Sequence, residues 1–117
     1  MAGPQRRIAP IALLIAAIGA GLLLHLGGGV NAAETREVEI DNYSFSPGDL
    51  IVPQGTTVTW INHDETPHTV VATGDPRAFR SGGLDTDDKF SFTFTKPGIY
   101  SYLCTVHPYM TGKVVVK

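Results

Sequence analysis

Residues 33–117 predict an all-β fold: a Greek-key two-sheet β-sandwich of about eight strands, preceded by an N-terminal hydrophobic signal segment. Three observations carry this reading. Apolar residues recur at every second position, as the two faces of a strand require. Clusters rich in Gly, Pro, Asp and Ser separate these runs at turn-like intervals. No stretch after residue 33 sustains the periodicity of an amphipathic helix. Pattern alone leaves a small barrel open beside the sandwich.

Taken in order, Val38 and Ile40 alternate with Glu37, Glu39 and Asp41, and Leu50 to Val52 forms a second β-rich run. Val58, Trp60 and Asn62 then alternate with Thr57, Thr59 and Ile61. His68 to Thr73 follows as another β-rich run. Phe90, Phe92 and Phe94 alternate with Ser91, Thr93 and Thr95, the cleanest amphipathic strand of the chain. Ile99 to Cys104 and Lys113 to Val116 complete the set. Between them stand Ser46-Pro47-Gly48, Pro53-Gln54-Gly55, Gly74-Asp75-Pro76, Ser81-Gly82-Gly83 and Lys96-Pro97-Gly98, each with turn chemistry.

The first 32 residues differ in kind. Arg6 and Arg7 precede an apolar heart, Ile11 to Leu24, and a small-residue exit through Gly27 to Ala32. This order reads as a secretory signal cleaved after Ala32. The competing reading is an uncleaved membrane anchor, since a spanning helix needs about 20 apolar residues. Pro10, His25 and the glycine cluster favour cleavage, and on either reading residues 33–117 are an exported domain.

Charge and cysteine content narrow the function. The chain of 117 residues has nine Lys plus Arg against eleven Asp plus Glu. Without residues 1–32 the balance is seven against eleven, a net charge of −4. No basic face is available to neutralise phosphates, so nucleic-acid binding is excluded. One cysteine, Cys104, rules out an internal disulfide, a zinc ribbon or an iron–sulfur cluster. A domain this small usually benefits from a disulfide or a metal, and only the metal remains.

The informative segment is Cys104-Thr105-Val106-His107-Pro108-Tyr109-Met110, with His68 lying 36 residues before Cys104. Alone, Cys104 reads as a small buried hydrophobe, Met110 as core filler and His68 as a hydrogen-bonded strand histidine. Together, one thiolate, two imidazoles and one thioether form the ligand set of a blue-copper centre, three strong ligands and a weak axial one. A metal would also protect a free thiol in an oxidising compartment. His63, in a polar and acidic stretch without a second partner, reads as a solvated loop histidine.

These residues resemble the cupredoxin family, and within it the amicyanin group, with plastocyanins and pseudoazurins as relatives. The resemblance runs through Tyr43-Ser44-Phe45-Ser46-Pro47, Val52 to Trp60, Pro67-His68, Phe94 to Tyr100 and the Cys104 to Met110 loop, to Val116. It implies an eight-stranded sandwich with one type 1 copper at one end, held by His68, Cys104, His107 and Met110. It makes Asn62 a group tying the His68 loop to the Cys104 loop at Thr105. Amicyanin-type loops carry a proline just before the loop histidine; here Val106 keeps an N–H that can reach the Cys104 sulfur. It also implies a periplasmic monomer that exchanges single electrons with redox proteins, an amine dehydrogenase as donor and a c-type cytochrome as acceptor. Pro67, Pro108 and Tyr109 would form the docking patch around His107.

Two other functions are weighed against electron transfer. An enzyme needs an open coordination position, and four ligands fill this site. Copper delivery or buffering is the alternative, but a fixed Cys-His-His-Met set suits retention better than transfer.

Overall fold

The computed structural model describes residues 34–74 and 76–117, so the expected signal segment lies outside the described residues. Eight strands form: β1 (Thr35–Asp41), β2 (Ser44–Ser46), β3 (Asp49–Val52), β4 (Thr56–Asn62), β5 (Val71–Ala72), β6 (Lys89–Phe94), β7 (Gly98–Leu103) and β8 (Thr111–Val116). They make two four-stranded sheets, ordered β2-β1-β4-β6 and β3-β8-β7-β5. The chain passes repeatedly from one sheet to the other, which settles the choice in favour of a sandwich. No helix occurs among the described residues, and none of them forms a helix long and apolar enough to cross a membrane.

Alternation in sequence becomes alternation in burial. In β4, Thr56, Val58, Trp60 and Asn62 are buried while Thr57, Thr59 and Ile61 are half-exposed. The parallel pairing of β1 with β4 sets Val38 beside Trp60, and the antiparallel pairing of β4 with β6 sets Trp60 beside Phe90. In the other sheet β3 runs parallel to β8, with Leu50 beside Val114. Val38, Ile40, Val58, Leu50, Val52, Val114 and Val116 meet between the layers, at about 25 cal/mol per Å² of apolar surface removed from water. Trp60 anchors this core, with ring centroids 5.5 Å from Phe79, 5.8 Å from Phe90 and 5.3 Å from Tyr102. Tyr102 lies against Gly112, where an added Cβ would fall 2.5 Å from its hydroxyl.

Two elements differ from the sequence reading. The run His68 to Thr73 is a strand only at Val71–Ala72. Upstream of it, His68 pairs by an isolated bridge with Leu84, and the Ser81 hydroxyl takes the Val70 N–H at 2.8 Å. A side chain thus stands where a continuous ladder would have a carbonyl. The second difference is β2, which sits where composition shows mainly the start of a turn. Its three residues pair with Glu39, Ile40 and Asp41 of β1.

Candidate metal centre

Two segments build the centre. His68 follows Pro67 after the end of β4, and its backbone exchanges two hydrogen bonds with Leu84, at 3.1 and 2.8 Å. The other segment is the loop from Cys104 to Met110, clamped at its base because Leu103 of β7 pairs with Thr111 of β8. Within it the Cys104 N–H donates to the Met110 carbonyl at 3.1 Å and the Met110 N–H donates to the His107 carbonyl at 2.8 Å. This closed turn presents a cysteine, a histidine and a methionine from seven residues.

His68 and Cys104 are wholly buried, Met110 is buried and His107 is half-buried. The sulfur of Cys104 lies 3.7 Å from His68 Nδ1 and 3.8 Å from His107 Nδ1. Donors bound at about 2.0–2.3 Å around one ion stand on the order of 3.5–4 Å apart, so both separations suit a shared metal. Among the described residues, His68, Cys104 and His107 form the group whose ligand atoms all lie within 4.8 Å of one another. A soft thiolate with two imidazoles fits copper.

The thiol is prepared for this role. Burial alone would push its pKa up, but the Thr69 N–H first, then the side chain and N–H of His107, oppose it, and the pKa falls to about 6. The thiolate, the form that binds metal, is therefore the main species at neutral pH.

Thr69 is the residue that joins the two segments. Its N–H lies 3.4 Å from the Cys104 sulfur and its hydroxyl 3.8 Å. The same hydroxyl accepts the Thr105 N–H at 2.8 Å and meets the Thr105 hydroxyl at 2.7 Å. This corrects the tie expected of Asn62. Buried Asn62 donates to the carbonyls of Thr66 and Leu84, at 3.0 and 2.8 Å, and accepts the Asp64 N–H at 2.9 Å. It ties the loop before His68 to the Leu84 segment that pairs with His68, and none of its bonds goes to Thr105.

Val106 is corrected as well. Among the described residues, the groups that approach the sulfur are the N–H and hydroxyl of Thr69, the Nδ1 atoms of the two histidines and the His107 N–H. Val106 is 56% exposed and is not among them. Pro67 and Pro108 are exposed, and Tyr109 is 70% exposed with its ring 6.1 Å from that of His107. His63 has a partner after all: its Nε2 lies 3.2 Å from a Glu39 carboxylate oxygen on β1.

Sequence reasoning missed two further residues. Tyr43 sets its ring edge-to-face against His68, at 5.3 Å, and His107, at 5.0 Å. Asp64 accepts from His68 Nε2 at 2.8 Å. The acid at position i−4 before the histidine is the one signal that sequence offered.

A two-layer β-sandwich with a buried cysteine and two histidines converging at one end defines a cupredoxin-type metal protein. Residues 32–117 match the family described as copper binding proteins, plastocyanin/azurin family, and the chain belongs to it. The sequence is 39% identical over 83 residues to amicyanin from Paracoccus denitrificans, a match covering 68% of this chain and 63% of that one. It is 35% identical over 88 residues to amicyanin-alpha from Methylorubrum extorquens, covering 73% of this chain and 74% of that one. The fold is similar to the oxidised state of a proline-to-alanine amicyanin variant, with a TM-score of 0.67 and 37% identity over 71% of this chain and 82% of that one.

Proposed function

We propose that the protein is a periplasmic one-electron carrier in which His68, Cys104, His107 and Met110 hold a single type 1 copper. The observation that carries this reading is the convergence of the Cys104 sulfur and two Nδ1 atoms, in a site where His107 alone among them reaches solvent. Copper bound there supplies a Cu(II)/Cu(I) couple.

The chain's own residues do the rest. Burial of Cys104, His68 and Met110 keeps water from the site. The bonds from Thr69 to both Cys104 and Thr105 hold the two segments in register, which limits rearrangement when charge changes. The exposed edge near His107, with Pro67, Val106, Pro108 and Tyr109 around it, is a small apolar surface suited to brief docking of a redox partner. An amine dehydrogenase as donor and a c-type cytochrome as acceptor are the partners that the amicyanin likeness supports, with the protein working as a monomer. The closed, buried donor set favours retention of the metal over delivery, and four filled positions favour a carrier over an enzyme.

The test is copper loading of residues 33–117 followed by visible spectroscopy and voltammetry. Intense thiolate-to-Cu(II) absorption and a reversible one-electron wave are expected. Cys104→Ser should abolish the colour, and Met110→Leu should retain colour with a shifted potential. A Cys104→Ser protein that stayed blue would overturn the assignment.

A further inference from the structure

Asp64 stands outside the four ligands, yet its carboxylate meets both loops that flank the histidines. Oδ2 lies 2.8 Å from His68 Nε2 and accepts the Tyr43 N–H at 2.9 Å, while Oδ1 accepts the Asn42 N–H at 2.7 Å. The side chain is only 12% exposed and its histidine partner 0%. Its own backbone is held too, since its N–H donates to Asn62 Oδ1 at 2.9 Å and its carbonyl accepts the Thr86 hydroxyl at 2.8 Å.

A carboxylate can only accept, so Nε2 of His68 must carry the ring proton. That leaves the Nδ1 lone pair free on the side facing the Cys104 sulfur, 3.7 Å away. The other two bonds act on a turn. Asn42 and Tyr43 both have left-handed backbones, with φ of 52° and 57°, a conformation that Asn adopts readily and a bulky residue such as Tyr rarely does. The carboxylate binds the N–H groups of both. The turn in turn aims the Tyr43 ring, whose centroid lies 5.3 Å from that of His68 and 5.0 Å from that of His107, at interplanar angles of 88° and 89°. A 2.7 Å contact between the Tyr43 and Thr66 hydroxyls fixes the far end of that ring.

We infer that Asp64 is a positioning residue for both histidines of the centre: it sets the tautomer of His68 directly, and it seats Tyr43 as a wedge against His68 and His107 through the Asn42–Tyr43 turn. The inference rests on the copper-site reading above for its redox consequence, but not for its structural part. A carboxylate behind a ligand histidine enriches the ring as an electron donor and favours the more highly charged metal ion. Loss of such a partner typically costs about 10–100-fold in metal affinity.

The experiment compares the wild-type chain, Asp64→Ala, Asp64→Asn and Tyr43→Leu. In the metal-free protein, ¹⁵N–¹H correlation spectra read the His68 tautomer. Wild type should show a single Nε2–H form with slow proton exchange, and Asp64→Ala should show a mixture exchanging faster. Tyr43→Leu should leave the His68 tautomer unchanged while broadening the His107 ring signals. In the copper-loaded protein, Asp64→Ala should weaken Cu(II) more than Cu(I), and each tenfold difference raises the potential by about 59 mV. Asp64→Asn, which keeps an acceptor oxygen without the charge, should fold if Asp64→Ala does not and should raise the potential by less. An unchanged His68 tautomer and exchange rate in both Asp64 variants would overturn the positioning role. If wild type itself took up no copper, the site reading would fail, while the metal-free spectra would still decide the role of Asp64.

Discussion

The amide nitrogen of Thr69 lies 3.4 Å from the sulfur of Cys104, and the hydroxyl of the same residue accepts the next N–H of the ligand loop, that of Thr105, at 2.8 Å. One residue thus serves the electrostatics of the thiolate and the spacing of the two segments that supply the ligands. Hydrogen bonds on the sulfur stabilise its negative charge, reduce its donation to Cu(II) and favour the reduced state.

Thr69→Val tests this division, because it keeps the N–H and removes the hydroxyl. In the metal-free protein the Cys104 pKa should rise, because the hydroxyl 3.8 Å from the thiolate is removed. Ultraviolet absorbance of the thiolate during titration measures it. The copper-loaded variant should have a lower reduction potential, and Thr69→Ser should restore both values. A potential unchanged by Thr69→Val would show that the N–H acts alone.

Metal-free stability should depend on pH through Cys104. Its folded pKa, about 6, lies below the ordinary value of 9.0, so the folded state binds fewer protons at intermediate pH. The thiolate contribution is therefore complete above pH 9 and is lost as pH falls through about 6. Urea unfolding of wild type and Cys104→Ala, under reducing conditions at pH 6 and pH 9, isolates it. The advantage of wild type over the variant should be larger at pH 9.

Tyr102 gives the opposite sign at the alkaline end. Burial pushes its phenol up to about 12 against a smaller lowering effect of the neighbouring Trp60 side chain, and among the described residues neither its hydroxyl nor Trp60 Nε1 has a partner at hydrogen-bond geometry. Its neutral form is favoured in the fold, so the contribution is complete below pH 10 and is lost as pH rises toward 12. Tyr102→Phe should flatten the fall of stability over that window, a difference of roughly 2–3 kcal/mol at its alkaline end. At neutral pH the variant should be as stable as wild type or slightly more so, since it removes an unpaired buried hydroxyl. Thermal melts across pH 7 to 12 report both effects.

The docking surface is tested at Tyr109, which is 70% exposed. Tyr109→Asp places a charge on the apolar rim without touching the sulfur or either Nδ1. Electron exchange with a c-type cytochrome should slow about tenfold or more while the visible spectrum stays the same. Stopped-flow measurement of the exchange rate decides it, and an unaffected rate would place the port elsewhere on the surface.

Most of the fold and the ligand set could be read from the sequence, for physical reasons that differ. Strand alternation follows from solvent on one face, so β1, β4 and β6 are visible in Val38 to Ile40, Val58 to Asn62 and Phe90 to Phe94. The C-x-x-H-x-x-M loop is visible because all its donors lie within one tight turn. Thr69, Asp64 and Tyr43 were not visible in these roles. Thr69 acts largely through a main-chain N–H, which every residue but proline has. Asp64 and Tyr43 depend on two successive left-handed residues, Asn42 and Tyr43, that no periodicity encodes. Asn62 shows the converse: a tie between segments is expected of it, but its distant partner is the Leu84 carbonyl rather than Thr105, a pairing set by the tertiary fold.

The parallel pairing of β3 with β8 has a kinetic consequence. Leu50 and Val114 are neighbours in the sheet but 64 residues apart along the chain. Closing so long a loop is entropically expensive before any contact rewards it, which makes such pairings slow. During synthesis β8 emerges after every other strand of the sandwich, so its partner β3 must wait with one edge open. The Cys104 to Met110 loop hangs between β7 and β8, and its base closes only when β8 docks. The Cys104 thiol therefore stays outside its pocket, open to oxidants and to competing metal ions, until the final strand locks the sandwich shut.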